Sequence, residues 1–271
     1  MPAINTNISA LKAQNALASN ARAMTNAMEQ LSTGSRVNSA KDDAAGLAIG
    51  TTMTSQIRGL NQAVRNANDG VNLLQTAEGA MVEQTNMLQR MRELAVQSVN
   101  ATNSDSQREY LNAEFEELTS QISSIGSQTF WNSTKVLSAS TLTFQVGTAS
   151  DTTFTVSIKD TTTGTSGLGI DALAISTAVS ASSALAQIDS ALDKVNDQRS
   201  QLGATMNRLT YTADNLSNVS SNLAASRSNI MDTDYATASS QLSKNQIIQQ
   251  AATAMLAQAN QQPQSVLSLL K

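Results

Sequence analysis

The chain has no histidine and no cysteine. Imidazole acid–base chemistry, thiolate nucleophiles, disulfides, and zinc or haem held by those ligands are therefore excluded. Acid–base work would fall to carboxylates, which cluster in two places. Asp42-Asp43 is an adjacent pair near a helix start, and Ser39-Ala40-Lys41-Asp42 reads as a capping box rather than a site. Glu114, Glu116 and Glu117 share the second helix, where without histidine they read as a solvated face. No catalytic, cofactor-binding or metal residue emerges, and an enzyme is not expected.

Elements of unusual length surround these residues. The 271 residues carry 17 basic and 21 acidic side chains, a net charge of −4, which speaks against binding nucleic acid through phosphate neutralisation. Only 3% are aromatic, too few for the bulky core of an ordinary enzyme of this size. Both prolines lie near the ends, Pro2 and Pro263, so the stretch between them permits long helices. Met53, Leu60, Ala67, Leu74, Met81, Leu88 and Ala95 recur at heptad spacing, with Ile57, Val64 and Val71 as a second line. That line turns polar at Glu78, Thr85 and Arg92, which a slow drift of the stripe accounts for. The heptads pass through Asn68-Asp69-Gly70, a turn signal taken alone, and predict one continuous helix there.

A second stretch, Leu111 to Ile125, steps by fours and threes, with a capping box at Ser106 to Glu109 and a stop at Gly126. A third runs from Leu185 through Ile188, Leu192, Val195, Leu202, Met206, Leu209 and Leu216 to Leu223. These segments predict a mainly α fold, a long antiparallel helical bundle or coiled coil forming a rod. Between them, at about 138–180, Leu142, Phe144 and Val146 alternate with polar residues, as do Phe154, Val156 and Ile158. This reads as a small β-hairpin insert flanking Gly147–Asp151, followed by a loose Thr/Gly loop from Lys159 to Gly169.

The two ends lack the charged face that a solvated helix normally carries. Beyond Asp234 only Lys244 and Lys271 are charged, while Leu242, Ile247, Ile248, Met255 and Leu256 keep helical spacing up to Val266-Leu267-Ser268-Leu269-Leu270. At the other end Ile4, Ile8, Leu11, Met24, Met28 and Leu31 share a helix whose charges are Lys12, Arg22 and Glu29. Neither end is expected to hold a helix alone. Both should be disordered in the monomer and fold on assembly, which points to a polymer whose centre is built from the ends. No apolar h-region opens the chain and no run reaches membrane-spanning length, so neither a cleaved leader nor membrane insertion is expected.

The sequence resembles bacterial flagellin over nearly its whole length. The likeness is carried by Ile4-Asn5-Thr6-Asn7, by Leu31 through Gly46 (LSTGSRVNSAKDDAAG), by Gln89 through Gln97 (QRMRELAVQ), and by Ala257-Gln258-Ala259-Asn260-Gln261 onward to Leu270. With only a short insert, the chain looks like a minimal flagellin of two core domains. The resemblance implies an inner-core terminal coiled coil lining the filament lumen, 1–41 with 232–271, and an outer-core helical part, 42–231, with Arg36 to Gly46 as the spoke between them. It implies inter-subunit contacts at Ile4, Ile8, Leu11, Leu31, Ile247, Ile248, Leu256, Val266, Leu267, Leu269 and Leu270. Gln89, Arg90, Arg92, Glu93, Leu94 and Glu114 match a surface that packs neighbouring protofilaments and that a vertebrate Toll-like receptor contacts.

The implied function is a structural subunit that self-polymerises into the extracellular flagellar filament for swimming motility. Such a chain leaves through a type III export apparatus without a cleaved signal peptide. The implied partners are further copies of itself, an export chaperone, filament cap and hook-junction proteins, the host Toll-like receptor and an inflammasome sensor reading the C-terminal leucines. No cofactor is implied. The alternative from another class is a cytoplasmic helical signalling or scaffold module of chemoreceptor type, which predicts a symmetric hairpin tip where this chain has a Thr-rich insert.

Overall fold

The computed structural model describes residues 6–268, with side chains to residue 261. Its elements are α1 (Ile8–Thr33), α2 (Ala44–Val99), α3 (Asp105–Gln128), β1 (Phe130–Trp131), β2 (Thr134–Lys135), β3 (Ser140–Gln145), β4 (Thr153–Ile158), α4 (Ala178–Met231) and α5 (Tyr235–Ser268). They divide into two compact units, residues 1–57 with 221–271 and residues 58–220. The predicted spoke, Arg36 to Gly46, falls inside the first unit, and the chain passes between units within α2 and α4.

In the second unit the first heptad line is the core. Leu60, Ala67, Leu74, Met81, Leu88 and Ala95 are all buried. Its partner line, however, is Ala63, Gly70, Ala77, Gln84, Met91 and Ser98, and these too are buried. The predicted second line of Val64 and Val71 only flanks the seam, so it need not stay apolar, and no drift of the stripe occurs. Small residues recur among the large ones on both lines, Ala67 and Ala95 on the first and Ala63, Gly70 and Ala77 on the second, which lets neighbouring helices approach closely. Gly70 shows why. A Cβ there would sit 3.3 Å from both Leu209 and Phe144, so the glycine marks a close approach inside a continuous helix, not a turn. On α4 the same pattern puts Ala184, Ala191 and Gln198 between Ile188, Val195 and Leu202, with Leu185 and Leu192 at the flank.

α3 opens with its capping box two residues before the one expected at Ser106 to Glu109. Its N-cap is Ser104, whose hydroxyl accepts from the Gln107 N–H while the Gln107 side chain accepts from the Ser104 N–H. Gly126 does not end the helix; it is buried, where a Cβ would lie 3.1 Å from Thr162. Arg108, also buried, donates from Nε to the Ser98 carbonyl at 2.8 Å and from a terminal nitrogen to the Asn100 carbonyl at 3.1 Å, with Asp105 at 3.0 Å. It thereby supplies donors and positive charge to the end of α2. Arg108→Ala is expected to lower the stability of this unit by about 2–3 kcal/mol, because the buried Ser98 carbonyl and the partly buried Asn100 carbonyl lose a charged donor. Urea unfolding followed by circular dichroism checks this.

β3 and β4 pair antiparallel from Ser140↔Ile158 to Gln145↔Thr153, as the alternation predicts, with Val156 and Ile158 buried. The Arg208 guanidinium lies over the Phe154 ring, 4.7 Å from its centroid. The ribbon β1–β2 has a two-residue tip, Asn132 and Ser133, both at positive φ. The segment after the hairpin is not loose. Thr161, Thr163, Leu168, Ile170 and Ile175 are buried, and Lys194 Nζ donates to the Gly167 and Leu168 carbonyls at 3.1 and 3.2 Å. Gln84 reaches the Thr161 carbonyl at 3.1 Å and Gln198 the Ser157 carbonyl at 3.4 Å, so buried amides clamp the insert to both helices.

In the first unit α1 and α5 pack on each other. Each helix is the other's partner, so neither stands alone. The pair is nonetheless thinly buried. Among the described residues, its buried side chains are Asn20 and Ala27 on α1 and Ala238 and Asn245 on α5. They form two layers one heptad apart, and Asn20 donates to the Asn245 carbonyl at 2.8 Å.

The remaining helix ends are closed locally. Gly34, at φ 72°, terminates α1 in the left-handed region. Asp42 does not cap α2. It closes the preceding turn by accepting from the Ser39 hydroxyl and from the Ser39 and Asn38 N–H groups, contacts that hold its carboxyl below the usual range. Asp43 accepts from the Gly46 N–H at 2.8 Å instead. Asp234 caps α5, accepting from the Thr237 hydroxyl at 2.9 Å and from the Ala236 and Thr237 N–H groups, and the hydroxyl bond leads in lowering its pKa. A depressed carboxyl contributes stability above its unfolded pKa and loses it as pH falls through the folded value. Acidification below the ordinary carboxylate range should therefore loosen the first turn of α5. In Asp234→Ser, which keeps a cap but cannot titrate, amide exchange at 236–239 should lose that pH dependence.

Candidate assembly and recognition surfaces

Two sets of predicted residues separate onto the two units. In the first, Ile8 and Leu11 are each 55% exposed, Ile247 is 66% and Ile248 41% exposed, while Leu31 and Leu256 are half-buried in the α1–α5 pair. Ile4, Leu269 and Leu270, and the side chains of Val266 and Leu267, lie outside the described residues. Ile247 and Ile248 line a shallow depression on α5 with Ser239, Ser240, Ser243 and Lys244. Met28 on α1 and Met255 on α5, 52% and 68% exposed, are further apolar side chains in solvent and were not among the predicted contacts. Their signal was present in the sequence, an apolar side chain on a helix that carries few charges.

The connection between α1 and α2 is tied down within the same unit. Arg36 donates its backbone N–H to the Met231 carbonyl at 2.7 Å and its guanidinium to the Ile230 carbonyl at 2.6 Å. Thr233 returns an N–H to the Gly34 carbonyl, and the Tyr235 hydroxyl donates to the Leu31 carbonyl at 3.2 Å. A cation thus serves the last carbonyls of α4, as the end of a helix requires.

In the second unit Arg90 is the hub of a surface ion cluster. Its Nε donates to Glu114 at 2.9 Å and a terminal nitrogen to Glu93 at 3.0 Å. Glu114, and then Glu93, hold the guanidinium still more firmly protonated. Arg92 pairs instead with Asp189 at 2.7 Å, which raises its pKa in the same sense. Gln89 is exposed beside them. Leu94 departs from the prediction. It is 1% exposed and belongs to the core, because it lies next to the seam residue Ala95 and turns inward with it. The carboxylate cluster on α3 behaves as a solvated face: Glu114 serves Arg90, and Glu116 accepts from the Asn112 side chain at 2.6 Å. No described helix is long and apolar enough to cross a membrane.

Comparison with known proteins bears on the whole chain. The family model for the bacterial flagellin N-terminal helical region matches residues 4–141, and that for the C-terminal helical region matches residues 185–270. A flagellin of Halalkalibacterium halodurans is 45% identical over 270 residues, covering 99% of each chain. A flagellin of Xenorhabdus nematophila is 41% identical over 309 residues, again covering 99% of each. The crystal structure of Bacillus cereus flagellin aligns with a TM-score of 0.51 at 30% identity, over 56% of this chain and 88% of that one. None of these matches supports a signalling module of chemoreceptor type, and the place of a symmetric hairpin tip is taken by β1 to β4 and the packed segment after them. The uncharged apolar ends, the heptad helices, the small insert and the matches at both ends agree: the chain belongs to the bacterial flagellin family, the structural subunits of the flagellar filament.

Proposed function

We propose that this chain assembles with copies of itself through the uncharged α1–α5 pair, forming the inner core of an extracellular filament that transmits a rotary motor's torque as thrust. The observation that carries the reading is the mismatch between exposure and polarity at the ends. Ile8, Leu11, Met28, Ile247, Ile248 and Met255 stand in solvent on helices almost devoid of charge. Burial against neighbouring copies gains about 1.5–3 kcal/mol for each fully covered side chain. The division into an inner part of 1–41 with 232–271 and an outer part of 42–231 belongs to this proposal, as do contacts by Ile4, Val266, Leu267, Leu269 and Leu270. Electron microscopy of the chain after brief heating and salting-out tests it. Helical filaments are expected, and amorphous precipitate alone would contradict the reading.

The finer partners follow from the same surfaces. An export chaperone would cover the apolar C-terminal segment before assembly, the chain would leave through type III export without a cleaved leader, and cap and hook-junction proteins would meet the filament ends. The cluster of Gln89, Arg90, Arg92, Glu93 and Glu114 would pack neighbouring protofilaments. A Toll-like receptor would read the same patch, and an inflammasome sensor the C-terminal leucines. Leu94 would support this patch from beneath rather than touch a partner.

A further inference from the structure

We infer that Asn7 and the Ala259 carbonyl, which Pro263 leaves without its helical donor, form a keyed contact that fixes where α1 closes on α5. The deduction begins with proline's missing N–H. In a helix each carbonyl receives the N–H four residues ahead, and proline cannot supply one. α5 runs from Tyr235 to Ser268 and passes through residue 263. From residue 235 to residue 258, every carbonyl has a non-proline residue four ahead; the carbonyl of Ala259 has Pro263. Proline is also the least favourable residue in a helix interior, so its presence there calls for a compensating contact.

That contact is made by Asn7, whose Nδ2 donates to the Ala259 carbonyl at 2.8 Å. The same amide caps α1, since its Oδ1 accepts from the Ala10 N–H at 3.0 Å. One side chain therefore satisfies an orphan donor at the start of α1 and an orphan acceptor on α5. The contact is specific to this register. One heptad back, Asn7 would meet the Ala252 carbonyl, which has Leu256 N–H as its helical partner. The opposite end of the pair is already fixed by Tyr235, Gly34 and Thr233. Asn7 and Pro263 fix the free end, while the thin seam between them, with Asn20 on the Asn245 carbonyl, contributes little apolar burial.

The test is a double-mutant cycle in the full chain with Asn7→Ser and Pro263→Ala. Serine keeps the capping acceptor and loses the reaching amide; alanine restores the helical N–H to Ala259. Two quantities are read in each of the four chains: amide exchange at 8–12 and 255–262 in polymerised material, and the subunit concentration left unpolymerised. Asn7→Ser should raise both about fivefold in the Pro263 background, as loss of one hydrogen bond implies. In the Pro263→Ala background it should change neither, because the carbonyl it served is already occupied. An equal effect of Asn7→Ser in both backgrounds, or no effect with Pro263 present, would overturn the inference.

Discussion

A chain carrying Ile247→Asp and Ile248→Asp together should remain monomeric where the parent polymerises. Both side chains are exposed in the single chain, so the substitutions remove little packing from the subunit itself. Assembly would bury two unpaired carboxylates among apolar groups of neighbouring copies, and each such charge costs several kcal/mol. At 1.4 kcal/mol per factor of ten, the concentration needed for polymerisation should rise roughly a hundredfold or more. Sedimentation against subunit concentration measures this, and circular dichroism should show helix content close to the parent's.

The largest effect on the subunit's own stability is expected at Phe115. Its side chain is fully buried, in the core cluster formed where α3 meets the heptad helices. Phe115→Ala should lower the unfolding free energy by about 3–5 kcal/mol, combining lost transfer energy with the cavity left behind. Because Phe115 and Ile247 lie in different units, the two changes separate stability from assembly. Phe115→Ala should shift the denaturation midpoint, whereas the aspartate pair should shift only the polymerisation threshold.

Much of the second unit was legible because its first seam line is Leu74, Met81 and Leu88, residues that declare burial by type. The second line escaped because Gly70, Gln84 and Ser98 are chosen for close approach or for a specific hydrogen bond, and neither purpose shows in hydropathy. Val64 and Val71 looked like that line because they are apolar neighbours of it. The hairpin was readable from alternation, but the packing of the segment after it was not. Thr161 and Thr163 are buried among carbonyl contacts that no periodicity announces. At the ends, the missing charge pointed to assembly, while Leu94 shows the limit of carrying a surface over by motif: Arg90, Glu93 and Glu114 meet, and the leucine beside them turns inward.

The terminal pair also shows how two segments, neither of which is expected to hold a helix alone, are helical together. Asn20 and Asn245 are poor core residues, yet paired helices share one seam, and across it Asn20 donates to the Asn245 carbonyl. A polar seam specifies its partner at a cost in stability. That combination suits segments that must choose one another among many identical copies.

The central claim, that the uncharged terminal helices are what joins subunits, is tested most directly by sedimentation of the intact chain beside one lacking residues 1–33 and 235–271. Both are held under polymerising conditions, and circular dichroism confirms that the shortened chain remains helical. The account predicts that the intact chain pellets as filaments while the shortened one stays in the supernatant at every concentration tried. Filaments from the shortened chain at the same threshold would contradict it.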